Sequence, residues 1–119
     1  MTTKEIQQKL DELIPMVENG KALEAFDRLY HDDLVAQENL SEPRTGKLAN
    51  RKFEENFLNN ITAIRKYNAV STMVGTNVSV IAWEIDIDHA DWGLVQMTEI
   101  NLQTWEDGKI IRETYNYNS

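Results

Sequence analysis

The apolar residues of this chain pass from mainly helical to strand spacing near residue 66, and that change bounds the fold. Before it they recur at helical intervals. Ile6, Leu10, Leu13, Ile14 and Val17 fall at i, i+4, i+7, i+8 and i+11, one stripe of a first helix. Thr2 followed by Glu5 is a capping-box start, Asn19-Gly20 reads as its stop, and Pro15 is expected to bend the last turn. A second helix is predicted over Lys21 to Tyr30, with Leu23, Phe26 and Leu29 or Tyr30 inward. Residues 31–39 break the period around Leu34 and Val35 and read as a short strand, with His31-Asp-Asp33 as an exposed turn. Ser41 to Gly46 is a loop by its Pro and Gly, with Thr45 the expected N-cap of a third helix. Ala49, Phe53, Phe57 and Ile61, four residues apart, place that helix over Lys47 to Ile64 with one apolar face.

After residue 66 the period is two. Ile81, Trp83, Ile85 and Ile87 alternate with Ala82, Glu84, Asp86 and Asp88, which predicts a strand with one apolar and one acidic face. Leu94 to Trp105 is a long strand rich in Val, Thr, Ile and Leu, and Asp107-Gly108 is a hairpin turn that returns the chain as Lys109 to Tyr117. A further strand, Tyr67 to Val74, precedes a turn at Gly75 to Asn77. Helices first and an antiparallel meander afterwards describe an α+β domain, with helices laid on one face of a curved sheet.

At 119 residues the chain has length for one core and not two, so residues 1–119 are read as a single domain. Twenty acidic against twelve basic residues give a formal charge of −8, which repels a phosphate backbone or an anionic bilayer. Nucleic acid and membrane are therefore not expected partners. Without cysteine there is no disulfide, thiol nucleophile or Cys-based metal site. Met1-Thr-Thr-Lys-Glu5 lacks the basic-then-apolar pattern of a leader, and the expected location is cytoplasmic. No phosphate-binding glycine loop or serine nucleophile motif is present.

Three segments taken together resemble a known family. Asn19-Gly-Lys-Ala-Leu-Glu-Ala-Phe-Asp-Arg-Leu-Tyr-His-Asp-Asp33, then Gln37-Glu-Asn39, then Ser41-Glu-Pro-Arg-Thr-Gly46 opening a helix, look like the nuclear transport factor 2-like superfamily, especially its SnoaL-like and ketosteroid isomerase branches. The resemblance implies three N-terminal helices on the concave face of a strongly curved, mostly antiparallel sheet, a cone with an internal apolar pocket. It also implies that the outer sheet face serves dimerisation. The isomerase general base is replaced in kind by Glu38, and the oxyanion-hole acid falls near Asn101, whose amide can donate without a raised pKa. The oxyanion-hole tyrosine falls at Ile14, which cannot donate, and this argues against steroid isomerisation in the family's usual form.

With Asn101 facing the pocket, period two brings Met97, Glu99 and Gln103 to the same side, and Glu113, Tyr115 and Tyr117 on the last strand. Trp83, Ile85, Phe53 and Phe57 would complete the walls, and Glu38, Glu99 and Glu113 would share the cavity, each raising the others' pKa. Arg112, Arg65 or Lys52 are the cations that could instead pair with such carboxylates. The run Asp86 to Asp91, with His89 among three carboxylates, matches no calcium loop and is read as a solvated hairpin end. No metal or organic cofactor is expected.

Two functions follow. In the first, a small hydrophobic carbonyl compound sits in the cone, Glu38 moves a proton beside the carbonyl, Asn101 bonds the developing oxyanion, and Tyr115 or Tyr117 orients the ligand. Such a protein is SnoaL-like, of an isomerase or cyclase type. In the second, the cone is filled by its own side chains and the face bearing Ile100, Leu102 and Thr104 makes a non-catalytic homodimer or partner interface. An open cavity of ~300 Å³ or more, lined by Glu38 and Asn101, would favour the first; a filled cone would favour the second.

Overall fold

The computed structural model of the protein describes residues 1–118. Helices α1 (Thr3–Glu18) and α2 (Ala22–Leu29) lead into strand β1 (Tyr30–Glu38). A two-residue strand β2 (Arg44–Thr45) and helix α3 (Lys47–Asn59) follow, and then β3 (Ile61–Gly75), β4 (Val78–His89), β5 (Gly93–Glu106) and β6 (Lys109–Asn116). The six strands form one sheet in the order β2-β1-β6-β5-β4-β3, antiparallel throughout except where β1 runs parallel to β6. Three register shifts between β3 and β4, and one between β5 and β6, let the sheet curve around the helices.

Local chemistry explains the elements. Thr2 and Glu5 form the expected capping box, with Glu5 N–H donating to Thr2 Oγ1 at 3.2 Å and Thr2 N–H donating to Glu5 Oε1 at 3.0 Å. Ile6, Leu10 and Leu13 of α1 pack with Ala25, Phe26 and Leu29 of α2 on the inward row of β4, Ile81, Trp83, Ile85 and Ile87. The β5–β6 turn has positive φ at both Asp107 and Gly108, the mirror-image turn that matches strand twist. On the outer face of β4, Arg65 bonds Asp86 and Asp88, and Lys66 bonds Glu84, so the acidic row is an exposed charge ladder.

Four local expectations are corrected. Helix α3 ends at Asn59 rather than Ile64, because Asn60 caps it and Ile61 already pairs with His89 in a β3 that begins six residues before the predicted Tyr67. Its inward face is also rotated: Ala49 and Phe53 are exposed, while Asn50 is buried. Asn50 tolerates burial because its amide donates to the carbonyls of Arg44 and Gly46 and accepts from Arg44 Nε. Phe53 instead lies outside, under the Arg44 guanidinium at 3.6 Å. Thr45 belongs to β2, paired with Val35, and the N-cap is Gly46 without any side-chain cap bond. Finally, His31-Asp-Asp33 is the start of β1 rather than a turn, with Asp33 N–H donating to His31 Nδ1.

Gly46 turns the chain from β2 into α3 and so sets which face of α3 looks inward. Its backbone, at φ 97° and ψ 145°, is one that residues with a side chain rarely adopt. A Cβ there would meet nothing within 4 Å, so Gly46→Ala isolates backbone strain from packing. The expected loss is about 1–3 kcal/mol in chemical denaturation, without a change in slope; an unchanged midpoint would show that α3 is not set by this residue.

Candidate functional site

The inner face of the sheet carries a polar island inside the apolar shell. Register builds it: Ser79, Gln103 and Glu113 are cross-strand neighbours on β4, β5 and β6, as are Ile81, Asn101 and Tyr115, and Trp83 stands opposite Glu99. Around these rows lies a cavity of about 50 Å³. The sheet contributes Tyr67, Ile81, Trp83, Glu99, Asn101, Gln103, Glu113 and Tyr115 to its wall. The helices close it with Leu13 and Val17 of α1, Ala22 and Phe26 of α2, and Glu54 of α3, and Tyr30 completes it at the start of β1.

Every polar group in the deepest row has a partner. Trp105 Nε1–H donates to Ser79 Oγ at 2.8 Å, Ser79 Oγ–H to Gln103 Oε1 at 2.7 Å, and Gln103 Nε2–H to Glu113 Oε2 at 2.7 Å. The other Glu113 oxygen accepts from the hydroxyls of Tyr115, at 2.6 Å, and Tyr30. Glu113 is 1% exposed. Burial raises its pKa, and the three donors, which favour the charged form, oppose that rise.

Glu99 is held differently. With the Asn101 amide oriented to satisfy both neighbours, its Nδ2 donates to Glu99 Oε1 at 2.9 Å and its Oδ1 accepts from Trp83 Nε1 at 3.2 Å. Glu99 Oε2 has no partner among the described residues, yet no fully enclosed side-chain oxygen there lacks one, so this oxygen opens on the cavity. Burial, followed by the charges of Glu38, Glu113 and Glu54, pushes Glu99 up to about 8. Burial, then the charges of Glu113 and Glu38, raises the partly buried Glu54 to about 7. The hydroxyls of Tyr30, Tyr67 and Tyr115, raised far above their usual range by burial, remain neutral donors.

Of the residues expected at the site, Trp83, Glu99, Asn101, Gln103, Glu113 and Tyr115 meet at this cavity. The others do not line it. Glu38 stands at the rim with a carboxylate 3.1 Å from Arg44 Nη2, a partner not among the cations anticipated, and with Tyr117 nearby. Burial raises Glu38, and Arg44 and Tyr117 hold it back. Phe53 is turned outward under Arg44, and Phe57 stacks on His89 at 5.4 Å. Ile85 belongs to the apolar core, and Ile14 and Met97 are half-buried against that core. Glu54, Tyr30 and Tyr67 are the site residues that sequence reasoning missed. The signal for Glu54 was the inward polar pair Asn50 and Glu54, one turn apart, which apolar counting passes over.

The ligand-like run at the β4–β5 end, expected to be solvated throughout, instead carries a buried histidine. His89 is buried, its Nδ1 accepts from Asp91 N–H and its Nε2 faces the Phe57 carbonyl, so both ring nitrogens are engaged. Among the described residues, His31, Glu106 and Asp107 alone converge closely enough to hold a cation, and none of them lines the cavity. No described helix is long and apolar enough to cross a membrane.

The raised carboxyls make stability pH-dependent with a definite sign. Glu54 and Glu99 bind protons more tightly folded than unfolded, where their pKa is near 4.5, so the native state is favoured at acid pH and loses that advantage as pH rises through about 8. The lowered Asp27 and Asp88 act below that window. Unfolding free energy is expected to fall by several kcal/mol from about pH 5 to about pH 9, and Glu99→Gln to remove the larger share of that slope. A pH-independent stability would contradict the burial of these acids.

Comparison with known proteins agrees with this geometry. The family model of the SnoaL-like domain matches residues 1–117. No curated protein matches the sequence. Among solved structures, a protein from Mesorhizobium loti provisionally described as a SnoaL-like polyketide cyclase superposes with a TM-score of 0.83 at 20% identity, over 92% of this chain and 97% of its own. A provisionally described isomerase from Bacillus subtilis gives 0.76 at 13% identity, over 97% and 87%. A nuclear transport factor 2-like protein of unknown function from Mesorhizobium loti gives 0.76 at 15%, over 98% and 93%. At these identities the structures establish the fold alone. The match over residues 1–117, on three helices and a curved six-stranded sheet, places the chain in the SnoaL-like domain family.

Proposed function

We propose that this domain binds a small molecule in the cavity under the sheet and moves a proton to or from it through Glu99, with Glu54 and Glu113 as acidic neighbours. The observation that supports this is the cavity wall itself, where three glutamates stand in an apolar shell that leucine would fill at lower cost. Glu113, bonded three times, suits the ionised form; Glu99, with one free oxygen, suits a group that gains and loses a proton near neutral pH. Carboxyls whose surroundings separate their roles in this way are how a protein sets up an acid beside a base. Glu38, expected as the base, is engaged with Arg44, so that role passes to Glu99. A carbonyl ligand, which the family resemblance implies, would take its hydrogen bond from protonated Glu99 or from Tyr67. The reading calls for no metal or organic cofactor.

A second reading has its own support. The cavity holds about 50 Å³ and Glu38 does not line it, so it falls short of the open pocket of ~300 Å³ lined by Glu38 and Asn101 that the first reading expects, and Ile100 and Leu102 are 40% and 42% exposed on the outer sheet face. Both features suit a homodimeric interaction module.

A fragment screen read by amide and indole chemical shifts separates the two. Binding in the cavity should move Trp83 and Asn101 resonances, and Glu99→Gln and Asn101→Ala should each weaken it by about tenfold, the cost of one hydrogen bond to a charged group. Hits confined to Ile100 and Leu102, in a protein that sediments as a dimer, would favour the module.

A further inference from the structure

We infer that the cavity takes a small organic cation, an alkylammonium or guanidinium-like group, held between the Glu99 and Glu54 carboxylates and the rings of Trp83 and Tyr67. The inference rests on the reading of the cavity as a ligand site and names what that site selects. Three observations converge on it. The first is charge: three glutamates line the cavity, and no Lys, Arg or His does. Arg44, whose charge reaches Glu54, is bound to Glu38 at the rim. The second is an open acceptor. Glu99 is 8% exposed, and its Oε2 faces the cavity without a partner among the described residues. Most donors nearby are committed elsewhere: Tyr30, Tyr115 and Gln103 to Glu113, and Trp83 and Asn101 to the Asn101–Glu99 chain. Among the described residues lining the cavity the Tyr67 hydroxyl is the donor left open, so the unpartnered acceptors of Glu99 and Glu54 outnumber it. The third is the aromatic corner, with Tyr67 and Trp83 inclined at 59° and their centroids 5.7 Å apart, a wall that attracts cations as well as apolar groups.

The three glutamates are not gathered around a single point. Glu54, Glu99 and Glu113 do not bring their oxygens together within 4.8 Å, so they surround a space rather than a point. Its 50 Å³ limits the enclosed part of any ligand to a few heavy atoms, the scale of an alkylammonium head. A cation settling between these carboxyls favours their ionised forms, so any proton that Glu99 or Glu54 carries is released to solvent on binding.

The test titrates the whole protein at pH 8 with trimethylammonium and with acetone, its neutral counterpart of equal heavy-atom count, following the Trp83 indole and Asn101 amide signals. The cation should bind at least about tenfold more tightly than acetone, and Glu99→Gln and Glu54→Gln should each erase about tenfold of that affinity. Glu54→Gln, at a partly buried helix position, guards against a Glu99 variant that fails to fold. Acetone binding as tightly as the cation would overturn the charge preference and leave the ligand site standing. Neither compound moving the cavity signals would overturn the ligand site itself.

Discussion

The interaction on which the rest of this structure depends is the burial of Glu113. A carboxylate at the centre of an apolar shell is tolerable only where each oxygen is bonded, and here Gln103, Tyr115 and Tyr30 converge on it from β5, β6 and the α2–β1 junction. Their demands spread outward. Gln103 needs Ser79, Ser79 serves Trp105, and these strands must hold one register for the chain of donors to close. A one-residue slip of β6 would send Glu113 to solvent and bring the outward Arg112 and Thr114 into the core. The network is thus a register lock as well as the floor of the cavity.

Function grows from the contrast between that floor and its neighbours. Glu113 is saturated, while Glu99 and Glu54 are enclosed with fewer partners. Nothing in folding requires the latter two: an apolar residue at either place would pack against Trp83, Phe26 and Leu13 without the cost of desolvating an acid. Their presence is the feature that separates this cavity from a merely imperfect core. Arg44 shows how the same chain treats an acid it merely needs to neutralise. It pairs with Glu38, covers Phe53 and bonds Asn50, keeping the rim ordered while contributing no cation to the interior.

Much of this was legible in the sequence, for physical reasons that differ by element. The alternation of β4 fixes Trp83 as inward, and once the family resemblance places Asn101 at the pocket, period two brings Glu99, Gln103 and Glu113 to the same side. Period two has little freedom once one face is apolar. Helix α3 was harder. Its apolar residues Ala49 and Phe53 lie outward, because Arg44 covers Phe53 and the inward face satisfies Asn50 through backbone carbonyls. Apolar counting therefore chose the wrong face and lost Glu54. Glu38 fell at the rim because the β1–β2 pairing brings Arg44 beside it, a contact between strands that linear spacing does not encode. The cavity's volume, set by how far α1 and α2 press on the sheet, has no sequence signature.

The central claim, that the cavity holds carboxyl groups poised to exchange protons near neutral pH, is tested most directly by carbon-13 titration of the glutamate side-chain carboxyl signals, with Glu99 assigned through Glu99→Gln. The account predicts a Glu99 midpoint near 8, far above that of exposed glutamates. A Glu99 midpoint near 4.5 would contradict it, and with it the reading of the cavity as an acid–base site.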